Sequence, residues 1–367
     1  MQLKLLCSSQ PKDFHVIHSP PPIRQLPLVP RSLLKKHRVL KRFDHRFRAC
    51  ARLLQALWRE EQDLAMGTHR EPSGRTRKIG SLLSASDAHD GRNFLTPALA
   101  QLARVEVAYQ EPGALIDQKR LFANLLSSNP LAFNLAGPWR IDHKLAAQVL
   151  RQLFPSLDID SVEDVRFEHS PGRLDPLFTG DRSAFDVAVV YARSDGARGL
   201  LGVEVKYSET SFEPAPPELR PSYERLAVYS TLYKEPHHAA LRVNPLQQYF
   251  REHLLAFAAL EAGLYAEAHL LVLTPHHNQL IQRSAALYRS FLDNRTDTLV
   301  PFHVVELEQV ISAFAAAGET EYAQALQLRY CDWSAIDELV RDALVVPRIW
   351  TLPLARRTPL QLLERAA

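Results

Sequence analysis

The stretch FDVAVVYARSDGARGLLGVEVKYSE, residues 185–209, contains two apolar runs on either side of a polar turn. Apolar and β-branched residues bounded by turn residues predict two paired strands, over residues 184–193 and 200–207. The second run also carries Glu204 and Lys206 among valines. Because residues two apart in a strand project from the same face, these two charged side chains point to one side of the sheet.

The loop between the two strands decides where Asp186 of the first strand points. With a two-residue turn, Asp186 would face Val205 and its side chain would leave the sheet on the opposite side. With a three-residue loop, Ser194 faces Arg198 and Asp186 lies opposite Lys206. Three-residue loops with a glycine-assisted bulge are common in hairpins. A functional site that includes Asp186 requires this loop or an equivalent bulge.

An aspartate, a glutamate and a lysine near one strand end indicate hydrolytic chemistry. Mg²⁺ prefers hard oxygen ligands and takes few of them from protein, and Asp186 and Glu204 would supply them, with Mn²⁺ as a substitute. Lys206 can orient or help deprotonate an attacking water and offset charge in a phosphoryl transition state. The pattern therefore favours a site that hydrolyses phosphodiesters. A structural salt bridge between paired strands is the alternative interpretation.

The composition predicts a globular protein, since the 367 residues are 46% hydrophobic and carry a net charge of +3. No run of about 18 uncharged apolar residues is present and the first residues lack the pattern of a signal peptide, so we expect a cytoplasmic protein with no membrane segment. Cys7, Cys50 and Cys331 are too far apart for a CxxC pair, which argues against a disulfide framework or a cysteine zinc site.

Basic residues are concentrated near the N-terminus. Between Arg31 and Arg52 there are nine lysines and arginines and a single acid, Asp44. Such a segment can neutralise the phosphates of a nucleic acid, and it can equally form a solvated basic helix face or arm. At the level of the sequence its role stays open.

The hydrophobic periodicity divides the chain into four regions. Residues 1–44 are rich in proline and basic residues and are expected to form a flexible lead-in. Residues 45–135 are predicted to form a helical N-terminal region. Residues 136–345 are predicted to form an α/β core in which strands alternate with helices. Residues 346–367 form a C-terminal tail.

Individual elements follow from the same periodicity. The predicted helices cover residues 47 to about 67, 96–109, 114–126, 142–154, 244–263, 278–292 and 308–318. Further strands are predicted over residues 165–169, 268–275 and 299–307. In the helix over 244–263, Asn244 is the expected N-cap and Pro245 the expected first residue. Residues 67–93 are expected to form a loop.

The order helix, strand, strand with Asp186, strand with Glu204 and Lys206, then helix resembles that of the PD-(D/E)XK nuclease superfamily. More narrowly, four segments are similar to a bacterial family of restriction-endonuclease-like proteins, namely LLSSNPLAFN (125–134), FEHSPGRLDPLFTGDRSAFD (167–186), GVEVKYSE (202–209) and NPLQQYFREHLL (244–255). The similarity runs from about residue 47 to 342. It departs from the family pattern where Phe185, rather than proline, precedes the aspartate. The residues alone give no chemical explanation for SSNPLAFN.

The resemblance implies an α/β fold, a restriction-endonuclease-like mixed sheet flanked by helices, with a helical N-terminal extension. It implies that Asp186 and Glu204 hold the metal and that Lys206 assists the water. Superfamily members often add an upstream glutamate near the metal and a polar residue on the helix after the third strand. Glu168 and Gln248 match these two positions, so they complete the expected catalytic set.

Three further residues are candidates for substrate binding, namely Arg173, Ser183 and Arg251. Arg251 lies about one turn after the polar helix residue, on the same face. Arg173 and Ser183, together with Asp181, could hold a phosphate or brace the loop before the aspartate strand. An amphipathic helix face and ordinary turn chemistry are the alternative interpretations. Glu163 is the alternative to the upstream glutamate.

Taken with these residues, the resemblance implies a Mg²⁺-dependent nuclease of restriction or defence type that hydrolyses the phosphodiester bonds of DNA. A nucleic-acid-binding or interaction module of the same fold without catalysis, and an RNA-directed nuclease, are the alternatives. Nucleic acid is the expected partner in each case. Because one site of this type cuts one strand at a time, cleavage of both strands would favour a homodimer.

Overall fold

The computed structural model describes residues 25–71, 73–210, 220–293 and 299–345. Its strands are β1 (Met66–Arg70), β2 (Thr76–Leu83), β3 (Ser161–His169), β4 (Phe185–Ala192), β5 (Arg198–Val205), β6 (Glu267–Thr274) and β7 (Phe302–Glu306). Its α-helices are α1 (Arg31–Lys36), α2 (Arg46–Glu61), α3 (Ala85–His89), α4 (Pro97–Ala108), α5 (Gln118–Ala123), α6 (Ser128–Ile141), α7 (His143–Leu153), α8 (Pro221–Tyr229), α9 (Gln247–Glu261), α10 (Gln279–Phe291), α11 (Leu307–Ala316), α12 (Thr320–Tyr330) and α13 (Trp333–Leu344).

The main sheet has five strands in the spatial order β3-β4-β5-β6-β7, and β1 and β2 form a separate pair. β3, β4 and β5 are antiparallel neighbours, whereas β5, β6 and β7 run parallel to one another. Parallel strands need a crossover connection, which α8 and α9 provide between β5 and β6, and α10 provides between β6 and β7. The mixed sheet flanked by helices is thus as predicted.

The hairpin between β4 and β5 closes with a loop of three residues, because Arg193 N donates to Ala197 O at 2.9 Å. Gly196, the last residue of the loop, has a φ of 82°, a left-handed conformation that glycine adopts without steric cost. Pairing therefore resumes directly after this glycine. A functional site that includes Asp186 requires a loop of this length, and the structure has it, but Ala192 rather than Ser194 pairs with Arg198.

In this register Asp186 has a different partner on β5 from the one expected, but its side chain stays on the same face of the sheet. Val187 pairs with Val203, so Asp186 lies beside Glu204 rather than opposite Lys206. Because side chains alternate with a period of two, a shift of the pairing by two positions keeps the aspartate on the same side of the sheet. The requirement that the three charged residues share one face is met.

Two hydrophobic clusters cover the two faces of the sheet. Odd-numbered strand residues such as Val187 and Val203 belong to a cluster formed with α2, α4, α6, α7 and α11 to α13. Even-numbered residues such as Ala188 and Leu200 belong to a cluster formed with α8, α9 and α10. Glu204 therefore lies on the face that α9 covers.

Residues 25–44 pack against the core, which differs from the flexible lead-in expected for residues 1–44. Leu26, Leu33, Leu34 and Val39 are buried, and α1 forms within this segment. The apolar side chains between the basic residues supply enough burial to hold the segment in place. Residues 1–24 and the predicted tail 346–367 lie outside the described residues.

β1 and β2 form in a region that the sequence predicts to be a loop, and α2 ends at Glu61 rather than near Gly67. The outer residues of both strands are polar and exposed, so the apolar alternation that identifies a half-buried strand is missing. Gly67 lies so close to the backbone of β2 that an added Cβ would be 2.1 Å from Leu83 O. This close approach shows why a glycine stands there, but it is visible only in the structure.

Three helices differ from the prediction. α6 begins at Ser128 and lies between the predicted helices over 114–126 and 142–154, where the sequence predicts no helix. Ser127 Oγ accepts a hydrogen bond from Asn129 N at 3.2 Å, and a proline in the first turn removes no helix hydrogen bond. α9 begins at Gln247, so Asn244 is not its N-cap. α5 is shorter than the predicted 114–126.

The N-terminal helices and the sheet share one hydrophobic cluster, which extends from Leu26 to Val340. Polar contacts also join them, since Gln55 Nε2 donates to Tyr207 Oη at 3.0 Å. The predicted boundary after residue 135 falls within α6, and the division into an N-terminal region and a core stays a prediction. In the described ranges, no helix has the length and apolar character needed to cross a membrane.

Candidate active site

Three carboxylates lie side by side on three neighbouring strands. The pairing of β4 with its two neighbouring strands puts Asp186 opposite Glu168 of β3 and next to Glu204 of β5. Neighbouring strands are about 4.8 Å apart, so the three side chains share one small region. Glu168 has a φ of 48°, a conformation rare for a residue other than glycine. Glu163, the alternative upstream glutamate, instead pairs with Arg198.

Lys206 and Gln248 close a hydrogen-bonded triangle with Glu204. Lys206 Nζ lies 2.6 Å from Glu204 Oε1 and donates to Gln248 Oε1 at 2.7 Å. Gln248 Nε2 in turn donates to Glu204 Oε1 at 2.7 Å. α9 crosses the same face of the sheet, which explains why a helix residue 42 positions later in the sequence contacts the lysine. The structure thus brings all five predicted catalytic residues together.

The residue before the aspartate anchors the start of β4. Phe185 is fully buried, and its ring lies over Gly202, where an added Cβ would be 2.5 Å from a ring carbon. Next to it, Asp186 Oδ2 accepts a hydrogen bond from Val205 N at 2.8 Å. The phenylalanine that replaces the family's proline therefore belongs to a packed contact that supports the position of Asp186.

The site carries more negative charge than its one lysine offsets. Burial raises the pKa of Asp186 well above its usual range, and the carboxylates of Glu204 and Glu168 raise it further. Burial also raises the pKa of Glu168, again with a contribution from Glu204, to about 7. Buried carboxylates that repel one another hold protons more tightly, so this pocket is suited to a bound cation.

The lysine of the site is held in its charged form. Burial by itself would lower the pKa of Lys206, but the carboxylates of Glu204 and Asp186 outweigh it and raise this pKa above its ordinary value. A protonated lysine donates hydrogen bonds and positive charge, and it cannot accept a proton. Lys206 is therefore suited to orienting a water and stabilising negative charge, rather than to acting as a base.

A fourth carboxyl group, Glu252, lies against the site and is absent from the sequence prediction. Glu252 is 3% exposed, and its Oε2 is buried without a hydrogen-bond partner in the described part of the chain. Burial raises its pKa well above the usual range, followed by the effect of Glu204. Glu252 lies four residues after Gln248, on the same face of the helix. This spacing could have identified it from the sequence.

The first substrate-binding candidate, Arg173, braces the end of β3. Its side chain is 6% exposed, and its guanidinium donates to Glu111 Oε2 at 3.2 Å and to the carbonyl oxygen of Glu168. Glu111 also contacts His169 Nδ1 and accepts a hydrogen bond from Ser170 N. This cluster holds the backbone around Glu168, and a substrate contact by Arg173 stays a prediction.

Arg251 and Ser183 meet in a second bracing cluster, centred on Asp181. Arg251 Nη1 donates to Asp181 Oδ2, and Ser183 N donates to Asp181 Oδ1 at 2.9 Å. The hydroxyl of Tyr223 on α8 donates to Asp181 Oδ2 and contacts Ser183 Oγ. The cluster fixes the segment that leads into Asp186, and the role of both candidates in binding substrate stays a prediction.

The SSNP stretch adjoins the site through Glu209. Glu209 Oε1 accepts from Ser128 N at 2.9 Å, and its Oε2 accepts from Tyr207 N and Ser208 N. The carboxylate thus ties the N-terminus of α6 to the residues that follow Lys206. A carboxylate at a helix N-terminus is favoured by the helix dipole, which gives this stretch a structural explanation that the sequence did not provide.

The carboxylates fit a divalent cation, although the part of the chain that the structure describes contains no preformed group of three or more His, Cys, Asp or Glu metal ligands. Mg²⁺ needs only one or two protein carboxylates, because waters and substrate phosphate oxygens complete its coordination. Asp186 and Glu204 provide hard oxygen donors. The raised pKa of Asp186 reflects negative charge that such a cation would neutralise.

Comparison with known proteins places the chain in a family. No curated protein and no solved structure matches the chain. A family model described as the PD-(D/E)XK nuclease superfamily matches residues 42–332, most of the chain. The matched range contains the carboxylate row, the lysine and α9, and it also contains the helices from α2 to α7. The chain belongs to the PD-(D/E)XK nuclease superfamily.

Proposed function

We propose that the chain is a metal-dependent nuclease that hydrolyses phosphodiester bonds of DNA, with Mg²⁺ as the natural cofactor and Mn²⁺ as a substitute. The observation that carries the proposal is the convergence of Glu168, Asp186 and Glu204 with the charged Lys206 at one end of the sheet. Family membership supports hydrolysis of nucleic acid as the reaction class.

Asp186 and Glu204 would hold the cation, with Glu168 close enough to contribute. A bound divalent cation supplies Lewis acidity and neutralises charge on the scissile phosphate. Lys206 would donate hydrogen bonds to the attacking water and to the charge that develops on the phosphate oxygens. Gln248 contacts both Lys206 and Glu204, so it would keep the ammonium group and the carboxylate in their relative positions.

The test is cleavage of supercoiled plasmid DNA with Mg²⁺ or Mn²⁺ by the full chain. Asp186→Asn and Lys206→Met are expected to lower the rate at least about a hundredfold, because each removes a group that acts on the transition state. Glu267→Gln is the matched control, since Glu267 is a partly buried carboxylate at the opposite end of the sheet, bonded to Tyr191. Equal rates for wild type and the two site variants, all folded by circular dichroism, would contradict the proposal.

A catalytically silent nucleic-acid-binding module is the second candidate. The observation in its favour is that Glu204 Oε1 is already engaged by both Lys206 and Gln248, which a purely structural ion pair would also require. Titration calorimetry with Mn²⁺ separates the two functions. A nuclease site is expected to give site-specific heat that Asp186→Asn removes, whereas a silent module gives none. Parallel assays on RNA test the RNA-directed alternative.

A further inference from the structure

The strands β1 and β2 form a ribbon that is anchored at one end. At the anchored end Gly80 N donates to Arg38 O at 3.1 Å and Gly80 O accepts from Arg59 Nε at 2.8 Å. From the pair Thr68–Lys78 outward, the strand residues are exposed on both strands. Three further residues at the spacing of a strand carry the ribbon about 10 Å beyond that pair.

The exposed part of the ribbon carries positive charge on both of its faces. Its cations are Arg70, Arg75, Arg77 and Lys78, against one carboxylate, Glu71. Neighbouring residues of a strand project to opposite faces. Arg77 and Lys78 therefore present one cation on each side, and we name the four cations the basic ribbon.

A second group of cations lies beside the anchored end and is named the basic segment. Its members are the exposed residues Arg31, Lys35, Lys36, Arg38, Lys41 and Arg42. Arg38 of this segment accepts, through its carbonyl oxygen, the hydrogen bond from Gly80 N of β2 at 3.1 Å, which places the segment beside the anchored end of the ribbon. Among the described residues, the neighbouring acids form their ion pairs with other cations, Asp44 with Arg48 and Arg52, and Glu60 with Arg59. Asp44 and Glu71 attract Lys41 through their charge.

Such a concentration of cations is complementary to a polyanion. The major groove of B-DNA is about 12 Å wide and admits a two-stranded ribbon. Because phosphates line both walls of the groove, cations on both faces of the ribbon would contact phosphate groups. The A-form RNA major groove is too narrow for side chains to enter. A flat anionic surface would engage only one face.

We propose that the basic ribbon enters the major groove of duplex DNA while the basic segment contacts the adjacent phosphates. The inference builds on the proposed function, since it makes double-stranded DNA the substrate class of the site. It also assigns a role to the basic N-terminal residues. The ribbon is a binding element distinct from the carboxylate pocket, and its cations take no part in the chemical step.

The anchored end of the ribbon is linked directly to the candidate active site. Leu125 N donates to Ser81 O of β2 at 3.2 Å. The next residue, Leu126, accepts from Ser208 Oγ at 2.9 Å, and Ser208 lies two positions after Lys206. A duplex seated on the ribbon would therefore be held by an element that is connected to the site through these hydrogen bonds.

The test measures binding of a fluorescein-labelled 20-base-pair DNA duplex to the full chain by anisotropy in EDTA, where cleavage cannot occur. Arg77→Gln/Lys78→Gln is expected to weaken binding at least about tenfold and to lower the slope of log K against log salt by about 2. Lys144→Gln/Arg283→Gln is the matched control. It removes two exposed cations, one on α7 and one on α10, and is expected to bind as wild type does.

Three outcomes would overturn the inference. The first is that the ribbon variant binds as tightly as the control with an unchanged salt slope. The second is that the duplex does not bind to wild type. The third is that duplex RNA, or vesicles of phosphatidylcholine and phosphatidylserine, bind with the same dependence on the ribbon while DNA does not.

The cleavage assay keeps the two proposals separate. Ribbon-dependent DNA binding by a protein that never cleaves would refute the proposed function alone. Cleavage by wild type combined with unaltered binding of the ribbon variant would refute the ribbon alone. Thermal melting of both double variants confirms that each is folded, since the substituted side chains are exposed.

Discussion

Glu111→Gln is expected to destabilise the protein in a manner that depends on pH. Glu111 lies in the chain between α4 and α5 and braces the backbone around the candidate site through His169, Ser170 and Arg173. Burial by itself would raise the pKa of Glu111, but the hydrogen bonds and charges of these partners outweigh it and lower the pKa from 4.5 to about 2. The carboxylate is therefore more stable in the folded protein than in the unfolded chain.

The structure gives the size and sign of the effect. A pKa difference of one corresponds to about 1.4 kcal/mol, so a fall from 4.5 to about 2 would give about 3 kcal/mol in full. The side chain is 34% exposed and water screens its contacts, which reduces the expected contribution to about 1–2 kcal/mol. Because the folded pKa is lowered, this stability is present above pH 4.5 and disappears as the pH falls towards 2.

Urea unfolding followed by circular dichroism, from pH 2 to pH 7, measures the difference between wild type and Glu111→Gln. The difference in unfolding free energy is expected to be about 1–2 kcal/mol at pH 7 and to approach zero near pH 2. Glu321→Gln, which changes an exposed glutamate on α12, is the control and is expected to show no such trend. A difference that stays constant across this range would refute the electrostatic explanation.

Two other substitutions and one metal titration test the packing and the cation site. Gly202→Ala is expected to cost about 1–3 kcal/mol in urea unfolding and to slow cleavage, because the new Cβ would lie 2.5 Å from the Phe185 ring beside Asp186. Arg329→Met is expected to cost about 1–3 kcal/mol, since this fully buried guanidinium donates to Asn93 O at 2.7 Å and its loss leaves that oxygen without this donor; an unchanged urea midpoint would contradict that role. Mn²⁺ at 100 times its Kd is expected to stabilise wild type by about 2.7 kcal/mol and to leave the melting of Asp186→Asn unchanged.

The face of the sheet on which the site lies could be predicted from the sequence, whereas the register could not. Glu204 and Lys206 share a face because of strand periodicity alone, and Asp186 joins them for any odd loop length. The choice between Lys206 and Glu204 as its neighbour depends on one left-handed glycine, Gly196. The sequence of a hairpin limits the possible loop conformations but does not determine which of them forms.

The features that the sequence missed are those in which tertiary contacts replace a local signal. β1 and β2 expose polar residues on both faces, so they lack alternation. Glu252 and Glu209 look like ordinary surface acids in the sequence, yet both are buried because α9 and α6 pack over the end of the sheet. Glu204 acts on Glu252 and Ser128 on Glu209, and each lies more than 40 positions away in the sequence, so periodicity within one segment does not reveal these environments.

The excess of carboxylates at the site links its stability to its proposed chemistry. Glu168, Asp186, Glu204 and Glu252 gather around the single ammonium group of Lys206, and such burial of like charges opposes folding. A protein selected only for stability would gain by replacing one of these acids with an apolar or amide side chain. Under the proposed function the arrangement is retained because a divalent cation, once bound, converts the repulsion into attraction. Asp186→Asn, which is expected to slow cleavage, should therefore leave the metal-free fold as stable as wild type or more so.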